Sequence, residues 1–158
     1  EHIRDLLLDP ANDDMDMHCE MLLYMASRAQ LVAQRIRPAL EAGQLVLADR
    51  FISSTLAYQG AAGGLAIDDI MAVGRIALRE CWPHLTVVFD VDERTAAKRL
   101  NPLLDRIEQR GATFHRIVRQ GYLEQARQDP QRYLVIDATP DADAVYEQLL
   151  LRLAHKLK

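Results

Sequence analysis

The residues best equipped for chemistry lie between Leu47 and Gly64, LADRFISSTLAYQGAAGG, where an apolar run ends in Asp49 and Arg50 and Ser53, Ser54, Thr55, Tyr58 and Gln59 follow closely. A carboxylate in that position can orient a hydrated metal or an arginine, and a guanidinium can hold a phosphoryl oxygen in a fork. Both are partial requirements of phosphoryl transfer, which depends on positioning and on neutralising charge. The bland alternative is a structural pair in which Arg50 closes a salt bridge to a neighbouring helix. The pair alone favours that alternative. The hydroxyl and amide groups behind it shift the weight, because polar groups crowded beside an apolar strand need partners.

The elements that must position these residues alternate along the chain. The first eight residues have the pattern of an amphipathic helix stopped by Asp9 and Pro10. Over residues 17–42, Met21, Leu22, Met25, Ala29, Val32, Ile36 and Leu40 recur at three and four, predicting a long helix that ends at Gly43. Residues 44–49, QLVLAD, predict a buried parallel strand that stops at a charge. A helix is expected over 67–81, a strand in LTVVFDVD, a helix over 93–100, a loop in NPLLD and a helix over 111–128. A third apolar strand, YLVID, and a closing helix over 141–157 complete the pattern. Strands separated by helices imply an α/β fold of one domain over residues 1–158: a three-layer, doubly wound parallel sheet with right-handed crossovers. Ligands of such sheets bind beyond the carboxyl ends of the strands, where Asp49, Arg50, Asp90, Asp92 and Asp137 fall.

Composition narrows the classes. The chain has 158 residues, of which 49% are hydrophobic and 27% charged, enough for a normal core. A net charge of −4 argues against a nucleic-acid binder that blankets phosphates with positive charge. Of 19 basic residues only Lys98, Lys156 and Lys158 are lysines. That bias suits forked phosphate contacts, and high genomic G+C content would produce it equally well. Cys19 and Cys81 lie far apart without metal-like spacing and are expected to be reduced core residues of a cytoplasmic protein. No apolar run is long enough to span a membrane, so neither membrane nor nucleic acid is an expected partner.

With these residues in view, DRFISSTLAYQG closely resembles the signature of bacterial thymidylate kinases. LLYMASRAQLV is similar to that family's thymidine-binding helix, WPHLTVVFDVD to its P-x-L-T strand, LDRIE to its lid and IDAT to its last strand, in order over nearly the whole chain. The resemblance implies phosphoryl transfer from ATP to dTMP, giving dTDP, with Mg2+ as cofactor and a homodimer packed through helices. It implies that Tyr24 stacks on thymine and that Arg28 reads a thymine carbonyl. Read without the resemblance, Tyr24 could as well be core and Arg28 a surface residue. Arg50 would hold the monophosphate with Asp49 beside it, Ser54 and Thr55 would line the base pocket, and Tyr58, with Gln59 alongside, would crowd the 2′ position. The lid, about 99–110, would contribute Arg99, Asp105, Arg106 and Glu108 over the ATP phosphates, with Ala138 and Thr139 flanking adenine. The catalytic residues would be Asp49 and Arg50, which clamp the monophosphate, and Arg99 and Arg106, which close the lid and stabilise charge. The resemblance leaves the metal ligands unknown.

The chain departs from the pattern in two places. The family opens with a glycine-rich phosphate loop and an REPGG segment, and no GxxxxGK[ST] occurs here; none of the seven glycines precedes a lysine. The expectation is therefore of a longer enzyme whose first strands and phosphate loop are not in this sequence, and of no kinase activity from these residues alone. The lid is also short, with Asn101 and Pro102 where further basic residues are common. The alternatives are a kinase for another nucleoside monophosphate and a non-catalytic nucleotide-binding or dimerising remnant.

Overall fold

The computed structural model describes residues 2–99 and 106–156. After helix α1, His2–Leu8, the carboxylate of Asp16 accepts the backbone N–H of His18 at 2.8 Å and of Cys19 at 3.4 Å, capping the start of α2, Met17–Leu31. The helix continues through a π-wound turn, Val32–Ile36, into α3, Arg37–Glu41. Pro38, in the first turn of α3, has no N–H to offer the carbonyl of Gln34, and the wider turn falls where that bond is lost. Gly43, at φ +70°, takes the left-handed conformation that ends the run.

Met21 and Met25 of α2 pack with Ile52, Ile70, Ala77 and Leu78 into one core cluster, and α5, Ile67–Leu78, supplies the last three. Val32, Ile36 and Cys81 form a second, with Val46 and Phe51 against it. Strands β1, Thr86–Asp90, and β2, Tyr133–Asp137, pair in parallel with Asp90 opposite Asp137, so both acids stand at the same edge. Between them run α6, Glu93–Arg99, and α7, Gly111–Gln128, and α8, Ala142–Lys156, follows β2. Helix α7 packs on both strands and α8 on β2, in keeping with the expected α/β crossover.

Several expectations need correction. Residues 44–49 pair with neither described strand, and Leu45 and Leu47 are 86% and 88% exposed. Val46 alone turns inward onto the second cluster. Alternation and apolarity produce an extended backbone, but a strand also needs a neighbour's N–H and C=O groups within reach. The segment after Arg50 folds into α4, Ile52–Thr55, and continues as a π-wound stretch, Leu56–Ala62. The helix expected to reach Cys81 stops at Leu78, followed by Arg79 at φ +52°. Cys81 is buried, whereas Cys19 is exposed. Of the expected lid, Asn101, Pro102 and Asp105 lie outside the described residues.

Candidate nucleotide site

Tyr24 and Arg28 sit one turn apart on α2, so they share a face. The Arg28 guanidinium donates from Nη1 to Thr55 Oγ1 at 2.7 Å and from Nη2 to the Phe51 carbonyl at 2.8 Å, tying α2 to both ends of α4. Its central carbon lies 5.7 Å from the Tyr24 ring centre and 5.9 Å from that of Phe51. Arg50 follows the unpaired stretch at φ +66°, a left-handed conformation uncommon for any residue but glycine and one that clusters at functional sites. Its guanidinium lies 5.5 Å over the Tyr58 ring, with Nη1 3.4 Å from the Tyr58 hydroxyl. Asp49 is exposed beside it. An open groove of about 770 Å³, lined by residues including Gln34, Val46 and Leu47, meets this cluster at Asp49 and Arg50.

Helix α7 closes the cluster with residues that the sequence reading missed. The Tyr122 hydroxyl shares a 2.6 Å hydrogen bond with Ser54 Oγ, and its ring stands edge-on to Tyr58 at 6.4 Å. Phe114 meets Tyr58 edge-on at 6.1 Å. Phe114, Val118 and Tyr122 recur at four, a spacing that could have marked this face. The close approach depends on Gly121, where a Cβ would stand 2.8 Å from Ala61 Cβ and 3.2 Å from Ala57 Cα of the π-wound stretch.

Burial, the largest influence on Arg28, lowers its pKa to about 10, while the Tyr24 and Tyr122 phenols pull the other way. For Arg50, partial burial is outweighed by Tyr58, Tyr122 and Asp49, and the net shift is upward. Burial raises the Tyr122 phenol, against the Ser54 hydrogen bond. At neutral pH both arginines are therefore charged and Tyr122 is neutral. Two fixed cations, aromatic faces and hydroxyls in one place suit a ligand with a planar ring at one end and an anionic group at the other.

Other expected site residues separate into two further groups. Arg99, at the end of α6, donates from Nη1 to the Ala138 carbonyl at 2.6 Å and from Nη2 to the carbonyls of Thr139 and Pro140, both at 2.9 Å. The cation and the residues expected to flank adenine are thus brought together. Asp137 accepts the Thr139 N–H at 2.9 Å, and its hydrogen bonds to Thr139 lower its pKa. Asp92 caps α6 through Thr95, and Asp90 receives a fork from Arg119 at 2.6 and 2.9 Å.

Arg106 and Gln59 point elsewhere, into the interior. Arg106 is 5% exposed and donates from Nε to the Leu7 carbonyl at 2.8 Å and from Nη2 to Glu20. Gln59, 2% exposed, donates to the other oxygen of Glu20 at 2.7 Å. The Glu108 carbonyl lies 3.1 Å from His115 Nε2. Glu20 was not foreseen, although Glu20, Tyr24 and Arg28 follow one another at steps of four on α2.

The family model for thymidylate kinase matches residues 1–149. The thymidylate kinase of Symbiobacterium thermophilum is 43% identical over 150 residues, covering 94% of this chain and 70% of the relative. That of Mycoplasma capricolum subsp. capricolum is 43% identical over 162 residues, covering 100% and 76%. The crystal structure of thymidylate kinase from Ehrlichia chaffeensis superposes with a TM-score of 0.70 at 27% identity, over 91% of this chain and 67% of that one. A model hit over nearly every residue, relatives above two-fifths identity and a shared fold lead to one statement: the chain belongs to the thymidylate kinase family.

Proposed function

We propose that the protein transfers the γ-phosphoryl group of ATP to dTMP, giving dTDP and ADP, with the nucleoside monophosphate held among Tyr24, Arg28, Arg50, Thr55 and Tyr58. The observation that carries the reading is the meeting of the Arg28 and Arg50 guanidinium groups with the Tyr24, Tyr58 and Tyr122 rings in one cluster. Tyr24 offers thymine a ring face. Arg28, already held by Thr55 Oγ1, presents a fixed donor to a base carbonyl. Arg50 is the cation for the monophosphate, and crowding by Tyr58 disfavours a 2′-hydroxyl. Arg99 supplies positive charge near the residues that flank adenine.

Such transfers need little covalent chemistry from the protein; the enzyme holds donor and acceptor in line and neutralises charge. Among the described residues no three acidic, histidine or cysteine side chains gather into a metal cage. Mg2+ suits that arrangement, because it keeps several waters and takes one or two carboxylates together with substrate phosphates. Asp49, exposed beside Arg50, is the carboxylate that would hold its water shell. When bound, the ion neutralises phosphate charge. Leu22, Leu31 and Leu40, exposed along α2 and α3, support a homodimer packed through these helices. Among the described residues no helix is long and apolar enough to cross a membrane, and we place the enzyme in the cytoplasm.

The test is a substrate panel on the protein expressed from its complete coding sequence. ADP release should be greatest with dTMP, lower with dUMP and the ribose analogue, and absent with purine monophosphates. Preference for another monophosphate, or no turnover of any, overturns the reading.

A further inference from the structure

Glu20 is fully buried, yet it is a carboxylate on the same helical face as Tyr24 and Arg28. Buried charges persist only when paired and hydrogen-bonded. Its two oxygens divide between two sets of partners. One accepts Gln59 Nε2 at 2.7 Å, in the π-wound stretch next to Tyr58. The other accepts Arg106 and Arg110, the latter at 2.5 Å, from the segment leading into α7. The Arg110 guanidinium in turn lies 5.0 Å over the Phe114 ring, whose edge meets Tyr58 at 6.1 Å. Two contiguous routes therefore run from one carboxylate to Tyr58, one through the neighbouring Gln59 and one through Arg110 and Phe114.

We propose that Glu20 is a positioning residue for the monophosphate pocket: by clamping Gln59 with one oxygen and the Arg106–Arg110 segment with the other, it fixes Tyr58 from two sides. The proposal rests on the functional reading above and adds to it a residue that touches no substrate. Its chemistry explains why a carboxylate stands there. An amide in its place has one acceptor oxygen and one donor nitrogen. Whichever side meets the nitrogen loses its present bond: an arginine has no acceptor to offer, and Gln59 can remake one only by turning its amide over.

Two variants dissect the routes, each in the protein expressed from its complete coding sequence. Glu20→Gln disrupts one clamp and leaves the buried Arg106 and the partly buried Arg110 short of their counter-charge. Arg110→Met removes only the Phe114 route, at a side chain 19% exposed, and leaves Glu20 paired to Arg106 and Gln59. Both should raise the KM for dTMP by roughly 3- to 30-fold, the span seen when residues of an interior network are changed. The KM for ATP should stay within about twofold, a split that general loosening of the fold does not produce. Both should also narrow the preference for dTMP over its 2′-hydroxyl analogue, Arg110→Met less than Glu20→Gln. If Glu20→Gln fails to fold, Arg110→Met decides alone. Variants whose two KM values rise together, or whose dTMP KM and sugar preference stay at the wild-type values, overturn the proposal while leaving the functional reading intact. A wild-type protein that does not turn over dTMP overturns both.

Discussion

Arg28 and Arg99 both donate to backbone carbonyls, yet they stand in opposite kinds of surroundings. Arg28 is half-buried and bonded to a hydroxyl of α4 and a carbonyl just before it, with its pKa drawn down to about 10. Arg99 is exposed at a helix end and bonds three successive carbonyls of one loop. The side proposed to hold the base is thus built from side chains of three packed elements, α2, the 52–62 stretch and α7. The side proposed for the phosphoryl donor is represented, among the described residues, by the Arg99 cation over the loop that follows β2. A polar contact in a packed interior strengthens as water leaves and is costly to break, whereas an exposed one exchanges with water at little net cost. On the proposed reading, specificity for the acceptor is assigned to the packed side, and the contacts of the exposed side carry less of it.

Breaking the packed side should have the larger consequences. Replacing Arg50 by Ala removes the cation assigned to the monophosphate and should lower kcat/KM for dTMP by about 10²–10³-fold, the usual loss for a preorganised charge-stabilising donor. Steady-state kinetics with dTMP varied at saturating ATP measure this. Arg28→Met keeps length and apolar bulk but loses the charged donors, and should raise the dTMP KM by about 10- to 100-fold, corresponding to one or two charge-assisted hydrogen bonds. ATP affinity, followed by a fluorescent ATP analogue, should not change, and an equal loss for both substrates would erase the distinction between the two sides.

Gly121→Ala tests whether the packed side depends on the close crossing of α7. The added methyl would meet Ala61 and Ala57, and urea unfolding should show a loss of about 1–3 kcal/mol. By contrast, Arg99→Ala should cost less than about 1 kcal/mol in stability, because its bonds are solvent-exposed, while weakening ATP binding more than dTMP binding. The smallest effect concerns pH. Hydrogen bonds from Thr95 and Thr139 hold the Asp92 and Asp137 carboxyls below their ordinary values. Their folded pKa lies below the unfolded one, so their contribution is complete above the unfolded value near 3.8 and is lost as pH falls through the folded values. Asp137 is exposed and Asp92 partly so, and acid titration of the melting temperature should show only a shallow decline in that window.

Much of this molecule was legible as a pattern. The helix over 111–128 and the strand YLVID appear with the expected bounds, and the helices after Ile67 and Glu93 begin where expected. Local rules sufficed there: apolar recurrence at three and four, β-branched runs and an acid or glycine at the end. Tyr24 and Arg28 were also readable as one face, since a helical turn sets their neighbourhood without any other element. The 52–62 stretch was not readable, because its polar and small residues carry no helical periodicity and its winding is stabilised by contacts with α7.

The sequence by itself determined which residue types stand one turn apart on a helix and which segments are extended, because these follow from backbone geometry within a few residues. Tertiary structure alone decided which of them meet. Residues 44–49 are as apolar as 86–90, but only the latter found a strand to pair with. Arg99 and Arg106, alike on paper, came apart when a buried carboxylate eighty-six positions from Arg106 claimed that guanidinium. Pairing, burial and the desolvation of charge are properties of distant groups brought together, and no local stretch of sequence carries them.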